Sequence, residues 1–447
     1  MNSMRVFENL GIQRQIEAIG TPLGIYGRSD GEGNALATLN FDSLRTYQDR
    51  PTLGVNYLEL ERTLQSIVSE KMQIQPQCVV ESIESPNAPD TRMALVKWIS
   101  GFLGRQDQKK GLYDCVIVSD GPFSISREQH WSGGFDLEGV ATLFEAVIPR
   151  PAKIMKGYAS DQWGMDRRVG FFPFGGAARD QLYVYAQIPY DRNSTVGTPN
   201  SSSSSSSAKE TPMQQKVPAT AMLEHFTDFG GAWRDIAAAV SAQPSINRTI
   251  VVNGNFKSGY GPVKGRVVAM GDTSISIPTP CLGHELGIAT DMAQYLANSI
   301  AFNSAPLLTG IYSLNQSYGK LVPIADALRN ELKAAIHFRS SLPNFFKRWM
   351  LKSSYSDRTL AAQQMEFLGL KLSRSEQQDL LALNRIQTLR KEWHQLDDAG
   401  REQSKLHFKS ELDKQTKAME KELFELAQAQ EAQKAQQQQQ QHQQQKA

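Results

Sequence analysis

The sequence has few cysteines, little net charge and no long apolar run. Three cysteines are scattered over 447 residues, too few and too far apart for a disulfide framework or a cysteine-based metal site. A formal net charge of +2 argues against a nucleic-acid protein held by bulk electrostatics. No apolar stretch has the length of a transmembrane segment, and the amino terminus lacks a signal-peptide core. These absences predict a cytoplasmic chain, long enough for one large core or two domains.

A further absence concerns glycine-rich turns. A dinucleotide-binding fingerprint places G-x-G-x-x-G between a strand and a helix, so that the first helical amides meet a pyrophosphate. The Gly-Glu-Gly of residues 31–33 lacks the third glycine, and the Gly-Tyr-Gly of residues 259–261 precedes a strand instead of following one. The sequence therefore offers no such fingerprint in the required context.

A strand, a turn and a helix are indicated at residues 265–297. The stretch opens with an apolar run that is typical of a strand buried on both faces of a sheet. Gly271 and Asp272 follow, and they place a carboxylate beyond the carboxyl end of that strand, where open α/β sheets bind ligands. Pro280 stiffens the next loop, and Gly283 lets a flat ligand approach the main chain before the helical pattern begins.

A second strand ends in a related pattern. Residues 115–118 are apolar, and Asp120 and Gly121 follow after one serine. Ser124 and Arg127 come next, and a carboxylate and an arginine at a strand end can position phosphates and ribose hydroxyls. The same pattern is also typical of a buried strand followed by a capped turn.

Together these stretches resemble two flavin-binding motifs of the single-component flavoprotein monooxygenases of the p-hydroxybenzoate hydroxylase type. In that family the Asp of the Gly-Asp pair holds the ribityl chain of FAD, and the helix start lies against the isoalloxazine ring. The Asp-Gly motif contacts the pyrophosphate side and helps with NAD(P)H. The resemblance implies that the cofactor contacts here are Gly271, Asp272, Pro280, Gly283, Asp120, Gly121 and Arg127. Asp291 falls one residue early for the acidic position of the family's helix.

The resemblance covers residues 1–332 and implies a mixed α/β fold. A Rossmann-like FAD/NAD(P)-binding domain, without its first β-α-β unit, would be joined to an antiparallel substrate-side sheet within residues 141–187. Aromatic residues on strands are more often core than ligand-binding. The candidates for an aromatic pocket in this sheet are Trp163, Phe171, Phe172, Tyr183 and Tyr185.

Shorter segments carry simpler expectations. Residues 7–20 predict the end of an amphipathic helix capped by Gly20, and residues 55–68 predict a second helix. His130 and Trp131 have no partner in the pattern, which predicts a surface position for both.

Three segments differ from the rest in composition. Residues 193–217 contain an unbroken serine run and predict a disordered insertion in a loop. Residues 333–427 are charged and mostly helical in pattern, which indicates a helical extension and a possible coiled coil. That extension either binds a protein partner or packs as a solvated hairpin on its own domain. Residues 428–447 form a glutamine-rich low-complexity tail.

The resemblance implies an FAD-dependent monooxygenase that hydroxylates or epoxidises an apolar or aromatic small molecule with NAD(P)H and dioxygen. The flavin carries the chemistry, so no protein nucleophile, base or metal is nominated. A second hypothesis is a non-catalytic relative that acts as a scaffold through its carboxy-terminal helices. It is favoured by the absent first unit, by Tyr57 in place of a usual arginine, and by Glu285 beside the ring's pyrimidine end. A third is an enzyme whose chain starts upstream of Met1.

Overall fold

The computed structural model describes most of the first three hundred residues and one further long helix. The described residues are 2–42, 50–69, 72–85, 93–101, 107–164, 166–176, 180–190, 215–277, 280, 283–301 and 307–336. They belong to the first of two compact units, Met1–Ala382 and Leu383–Ala447. The predicted tail at 428–447, nearly all of the helical extension at 333–427 and most of the insertion at 193–217 lie outside the described residues.

Helices and strands alternate irregularly along the described chain. The described α-helices are α1 (Asn2–Asn9), α2 (Gln13–Ile19), α3 (Tyr57–Val68), α4 (Ile125–His130), α5 (Thr220–Leu223), α6 (Trp233–Ser241), α7 (His284–Ala301) and α8 (Leu307–Ile336). The described strands are β1 (Gly20–Pro22), β2 (Ile25–Asp30), β3 (Ala35–Asn40), β4 (Leu53–Val55), β5 (Cys78–Glu84), β6 (Ala94–Ser100), β7 (Asp107–Tyr113), β8 (Val116–Val118), β9 (Phe135–Pro149), β10 (Tyr158–Trp163), β11 (Arg168–Phe174), β12 (Gln181–Pro189), β13 (Gln215–Val217), β14 (Ile246–Phe256), β15 (Val263–Lys264), β16 (Val267–Ala269) and β17 (Ile275–Ser276). None of the described helices is long and apolar enough to cross a membrane.

A nine-stranded sheet forms the larger part of the described fold. Its order is β13-β14-β9-β12-β11-β10-β2-β3, with β17 beside β14. All neighbours are antiparallel except β10 and β2, so the predicted antiparallel sheet is confirmed and is wider than residues 141–187. The shift of register between Val251 and Val252 marks a bulge, which locally increases the twist of the two longest strands.

One face of this sheet is covered by helices. Because side chains alternate along a strand, every second residue of β11 and β12 points to α5 and α6. Leu182, Val184 and Phe171 join Met222 and Ile236 there in one buried cluster. The other face of the sheet is left for polar and aromatic side chains.

A three-stranded sheet, ordered β15-β16-β8, carries the two strand ends predicted from sequence. β8 and β16 run parallel, so their carboxyl ends lie at the same edge. Val267, Val268 and Ala269 of β16 are wholly buried, as a strand covered on both faces requires. In β8, by contrast, Val118 is buried and Ile117 is 53% exposed, so this apolar strand is covered on one face only. A separate antiparallel sheet, β5-β6-β7, packs Val96 and Ile83 on the same core.

The amino-terminal segment forms two helices instead of the single helix predicted over residues 7–20. Gly11 has a φ of +73°, a left-handed conformation that interrupts the helix between α1 and α2. Gly20 is extended and starts β1, so it does not provide a left-handed cap. The second predicted helix, α3, begins two residues late because Asn56 caps it, accepting a hydrogen bond from the Leu58 amide at 2.9 Å.

Trp131 is the clearest error among the predicted surface residues. Its side chain is 3% exposed and packs on Phe256, with ring centroids 5.4 Å apart. His130 is partly buried, and this burial lowers the pKa of its imidazole. The sequence pattern missed the burial of Trp131 because its partner Phe256 comes from a strand more than a hundred residues away.

Candidate functional site

The two predicted strand-end motifs lie against each other at the carboxyl edge of the parallel strands. Thr273, next to Asp272, joins them. Its hydroxyl accepts a hydrogen bond from the Gly121 amide at 3.0 Å and lies 3.3 Å from an oxygen of Asp120. The structure therefore brings two motifs that are distant in the sequence together at one edge of the sheet.

Arg127 lies inside this junction and not at its surface. Its guanidinium donates to the carbonyl oxygen of Thr273 at 3.0 Å and to that of Pro122 at 2.6 Å. It also stacks 3.8 Å from the ring centroid of Phe135. The side chain is 6% exposed, and burial lowers the pKa of the guanidinium. Here Arg127 holds the two motifs together.

Asp272 is a partly buried carboxyl at this edge. Gly271 before it has a φ of +58°, which turns the chain sharply at the end of β16. Burial raises the pKa of Asp272 from an ordinary 3.8 to about 6. A carboxyl in such a place is suited to accept hydrogen bonds from neutral hydroxyl groups of a ligand, because they offset its desolvation.

Aromatic side chains lie on the second face of the large sheet. Phe172 lies 4.9 Å from Tyr183 and 6.5 Å from Tyr185, measured between ring centroids. Gly170 makes room for Tyr185, since a Cβ there would lie 2.3 Å from the phenol carbon and oxygen. Of the five predicted pocket aromatics, Phe171 is the exception on this sheet: it points to the opposite, helix-covered face.

A buried ionic network connects this face to the loop that follows Asp272. Arg168 pairs with Asp161 at 2.8 Å, and their side chains are 3% and 0% exposed. The same guanidinium donates to the Pro280 carbonyl at 3.1 Å and to the Tyr185 hydroxyl at 3.2 Å. Asp161 also accepts from Tyr26 at 3.0 Å. The network therefore fixes the backbone at Pro280 against the aromatic face.

A second acidic group lies on the same face. The Tyr183 hydroxyl donates to Glu145, and burial together with that carboxylate raises the pKa of Tyr183 well above its usual range. Glu285, in the first turn of α7, also raises it. The electrostatic environment of the aromatic patch thus includes carboxylates from both the sheet and the helix.

The remaining predicted contacts lie at the start of α7. Gly283 is exposed with a φ of +78°, and a Cβ added there would meet no atom within 4 Å. Asp291 faces α1 instead, where it pairs with Arg5 at 3.0 Å. Among the described residues, no group of three or more His, Cys, Asp or Glu side chains could hold a metal ion.

The sequence reasoning missed Asp161, Arg168 and Glu145. All three are charged residues within strands that also carry aromatic side chains, and that was the available signal. Asp161 and Gly170 are paired across β10 and β11, as are Trp163 and Arg168. If the pairing register of β10 and β11 had been known, it would have placed Asp161 next to Arg168. The sequence alone does not determine that register.

The described fold is similar to that of several solved structures. HpxO from Klebsiella pneumoniae, complexed with FAD and uric acid, matches with a TM-score of 0.59 and 17% identity, over 83% of this chain and 87% of that chain. A salicylate hydroxylase in a substrate complex matches with a TM-score of 0.57 and 13% identity, over 85% and 88%. CtdE, in complex with FAD and a substrate, matches with a TM-score of 0.57 and 14% identity, over 75% and 78%.

These likenesses establish the fold. The predicted mixed α/β class is confirmed, and the architecture is similar to that of HpxO and the salicylate hydroxylase. No protein-family model and no curated protein sequence matches the chain.

Proposed function

We propose that this chain is a flavin-dependent monooxygenase that uses FAD, NAD(P)H and dioxygen to oxidise an aromatic small molecule. One observation carries the proposal: the Arg168 guanidinium joins the Pro280 carbonyl to an aromatic sheet face, and Pro280 belongs to the same segment as Asp272 and Gly283. A flat redox ring along that segment would lie on the same side of the sheet as the aromatic patch.

The residues present fit the ring and ribityl half of a flavin. Asp272 is a desolvated carboxyl that gains from neutral hydroxyl donors, which a ribityl chain supplies. Gly283 leaves open space where a Cβ would otherwise stand, so a planar ring can approach the backbone at the start of α7. When bound, the flavin supplies the reduction of dioxygen and the transfer of one oxygen atom to the substrate.

The protein's own part is to bind, orient and exclude water. Phe172 and Tyr183, which are partly buried, offer aromatic surface for stacking, and the buried Tyr185 packs beside them. The carboxylate of Glu145 keeps the Tyr183 hydroxyl oriented. Arg168, itself saturated by protein partners, keeps the Pro280 loop at a fixed distance from the substrate face. The solved structures of the same fold support this proposal, because two of them contain FAD together with a substrate or uric acid.

The first experiment is an absorbance spectrum of the purified chain before and after incubation with excess FAD and gel filtration. The expected result is a retained flavin band, followed by NAD(P)H oxidation that candidate aromatic substrates accelerate. The variant Asp272→Asn should retain less flavin, and Asp107→Asn, an exposed carboxylate on β7, is the control and should retain as much as the unchanged chain. A colourless protein that passes FAD through unchanged would contradict the proposal.

A second candidate function is a non-catalytic scaffold that binds protein through the helices predicted at 333–427. The observation that favours it is Tyr57, which is 74% exposed at the start of α3, where the resembling family usually has an arginine. If the chain is such a scaffold, the purified protein should show no flavin absorbance after incubation with FAD. A truncation after residue 332 should then abolish partner binding without unfolding the remaining residues.

A further inference from the structure

The carboxyl edge of the parallel strands is well suited to a flavin ring and poorly suited to a pyrophosphate. In sheets of this kind, a bound dinucleotide places its phosphates on the first amides of a helix that follows a strand. Two described helices follow parallel strands at this edge, α4 after β8 and α7 after β16. Each carries an acidic group at its start.

Backbone amides at the start of α4 already donate hydrogen bonds to side chains of the protein. Ser124 accepts a hydrogen bond from the Arg127 amide at 2.9 Å, and Asp120 accepts one from the Ser126 amide at 3.3 Å. A phosphate would have to displace a hydroxyl from one of these amides and a carboxylate from the other. α4 is also only six residues long, so its dipole adds little to anion binding.

The start of α7 repels anions for a related reason. Its first turn contains Glu285, the acidic residue that also influences Tyr183. Asp272 adds a second carboxyl close by in the sequence, at the end of β16. A pyrophosphate here would meet like charge, whereas a neutral isoalloxazine ring or ribityl hydroxyl would not.

Arg127, the positively charged residue between the two motifs, already has protein partners. Arg127 is the arginine of the Asp-Gly motif, yet its guanidinium is buried under Phe135 and bonded to the carbonyls of Thr273 and Pro122. Reaching a phosphate would break both bonds and uncover the junction. The interaction that would stabilise a pyrophosphate is therefore used to stabilise the protein.

The edge of β8 that faces away from β16 has no neighbouring strand among the described residues, so no strand-to-helix turn follows there to hold a phosphate. Val116 and Val118 make the hydrogen bonds to β16, so the amide and carbonyl of Ile117 point the other way. Within the described part of the chain, no strand pairs on that side. Ile117 is correspondingly exposed, whereas its neighbour Val268 is fully buried.

From these four observations we propose that this chain recognises the isoalloxazine ring and ribityl chain of its flavin and gains little affinity from the ADP half. The inference rests on the proposed function. It predicts that riboflavin, a flavin without phosphate, binds within about tenfold of FAD, a difference below about 1.4 kcal/mol.

The test is a set of flavin-fluorescence titrations of the full purified chain with riboflavin, FMN and FAD, followed by displacement with ADP. The expected result is similar dissociation constants for riboflavin and FAD, with no displacement of riboflavin by millimolar ADP. An affinity for FAD more than a hundredfold above that for riboflavin, or displacement by ADP, would overturn the inference while leaving the proposed function standing. If none of the three flavins binds, both fail.

Two variants separate the halves of the ligand. Asp120→Asn removes an exposed negative charge while keeping an oxygen that can accept from Ser126 and Thr273, so FMN and FAD should bind several-fold tighter relative to riboflavin. Asp272→Asn should weaken all three by the same factor. Asp107→Asn, an exposed carboxylate on β7, is the control and should change none. If Asp120→Asn tightened the binding of all three flavins equally, that result would count against the inference. Asp120 is exposed, so the substitution does not disturb a buried side chain.

Discussion

At the scale of single residues, Asp272 has a protonation equilibrium that couples the site to folding. Burial raises its pKa from 3.8 to about 6 in the folded chain. The folded state therefore holds this proton more tightly than the unfolded state does. The stability that the group contributes is present below about pH 4 and is lost as the pH rises through about 6.

Replacing Asp272 by asparagine should remove that pH dependence. We expect Asp272→Asn to raise the free energy of unfolding of the flavin-free chain by on the order of 2 kcal/mol at pH 7.5 and much less at pH 4.5. Urea unfolding at the two pH values measures the difference. Asp107→Asn is the matched control and should show no such change; a gain that is independent of pH would refute the assignment to this carboxyl.

Arg168 gives a second prediction at this scale. Arg168→Met leaves the fully buried Asp161 without its ionic partner, so we expect a loss of about 3–5 kcal/mol in the free energy of unfolding. The double variant Asp161→Leu with Arg168→Met should recover part of that loss, since no buried charge then remains. Lys153→Met, which breaks the exposed pair with Asp235, should cost no more than about 1 kcal/mol. Equal losses for the buried and exposed pairs would contradict this account.

At the scale of elements, strand β12 separates stability from function by the alternation of its side chains. Leu182 is fully buried on the helix-covered face, whereas Tyr183 lies on the aromatic face. Leu182→Ala should lower the free energy of unfolding by about 2–5 kcal/mol and leave flavin affinity unchanged. Tyr183→Phe should cost about 1 kcal/mol and alter the KM for the aromatic substrate. Urea unfolding and steady-state kinetics on both variants check the pair; the reverse pattern would mean that the faces are misassigned.

The same alternation shows how far the sequence could predict the sheet. The sequence predicted residues 181–189 as a strand, but it could not show which side chains of the sheet point to which face. In the neighbouring strand β11, Phe171 and Phe172 are equally aromatic and point to opposite faces. The two motifs were found because each is local: a strand, a turn and a few spaced residues. The ionic network was not found, because Asp161 and Arg168 become neighbours only through strand register. The break at Gly11 was missed since a glycine within a helical pattern is usually tolerated.

At the scale of the whole molecule, the serine-rich insertion remains a prediction. It connects β12 to β13, two strands on either side of β9 and β14 in the large sheet. Crossing three strand spacings requires roughly 14 Å, which a handful of extended residues can span. Its last three residues, Gln215–Val217, pair with β14 and therefore belong to the sheet.

Removing residues 201–207, the unbroken serine run, should leave the fold and the site unchanged. The remaining linker still exceeds the span, and the closure entropy of a loop changes only slowly with its length. We expect the midpoint of thermal unfolding and the flavin dissociation constant to match those of the full chain. A matched deletion of Gln215–Val217 removes a strand and should lower the midpoint. A lower midpoint for the serine deletion as well would show that the run has a structural role.

Strand β14 belongs to both halves of the described molecule. Ile246, at its start, lies in the core beneath the helices, and Phe256, at its end, lies in the core of the parallel strands. Phe256 is further tied to α8 by its amide, which donates to the Tyr318 hydroxyl at 3.0 Å. Because this described strand runs through both cores, a hinge motion between them would have to bend it or break its pairing with β9. If the chain is the monooxygenase proposed above, substrate entry and product release would therefore use movements of loops and side chains, and such local opening would limit turnover.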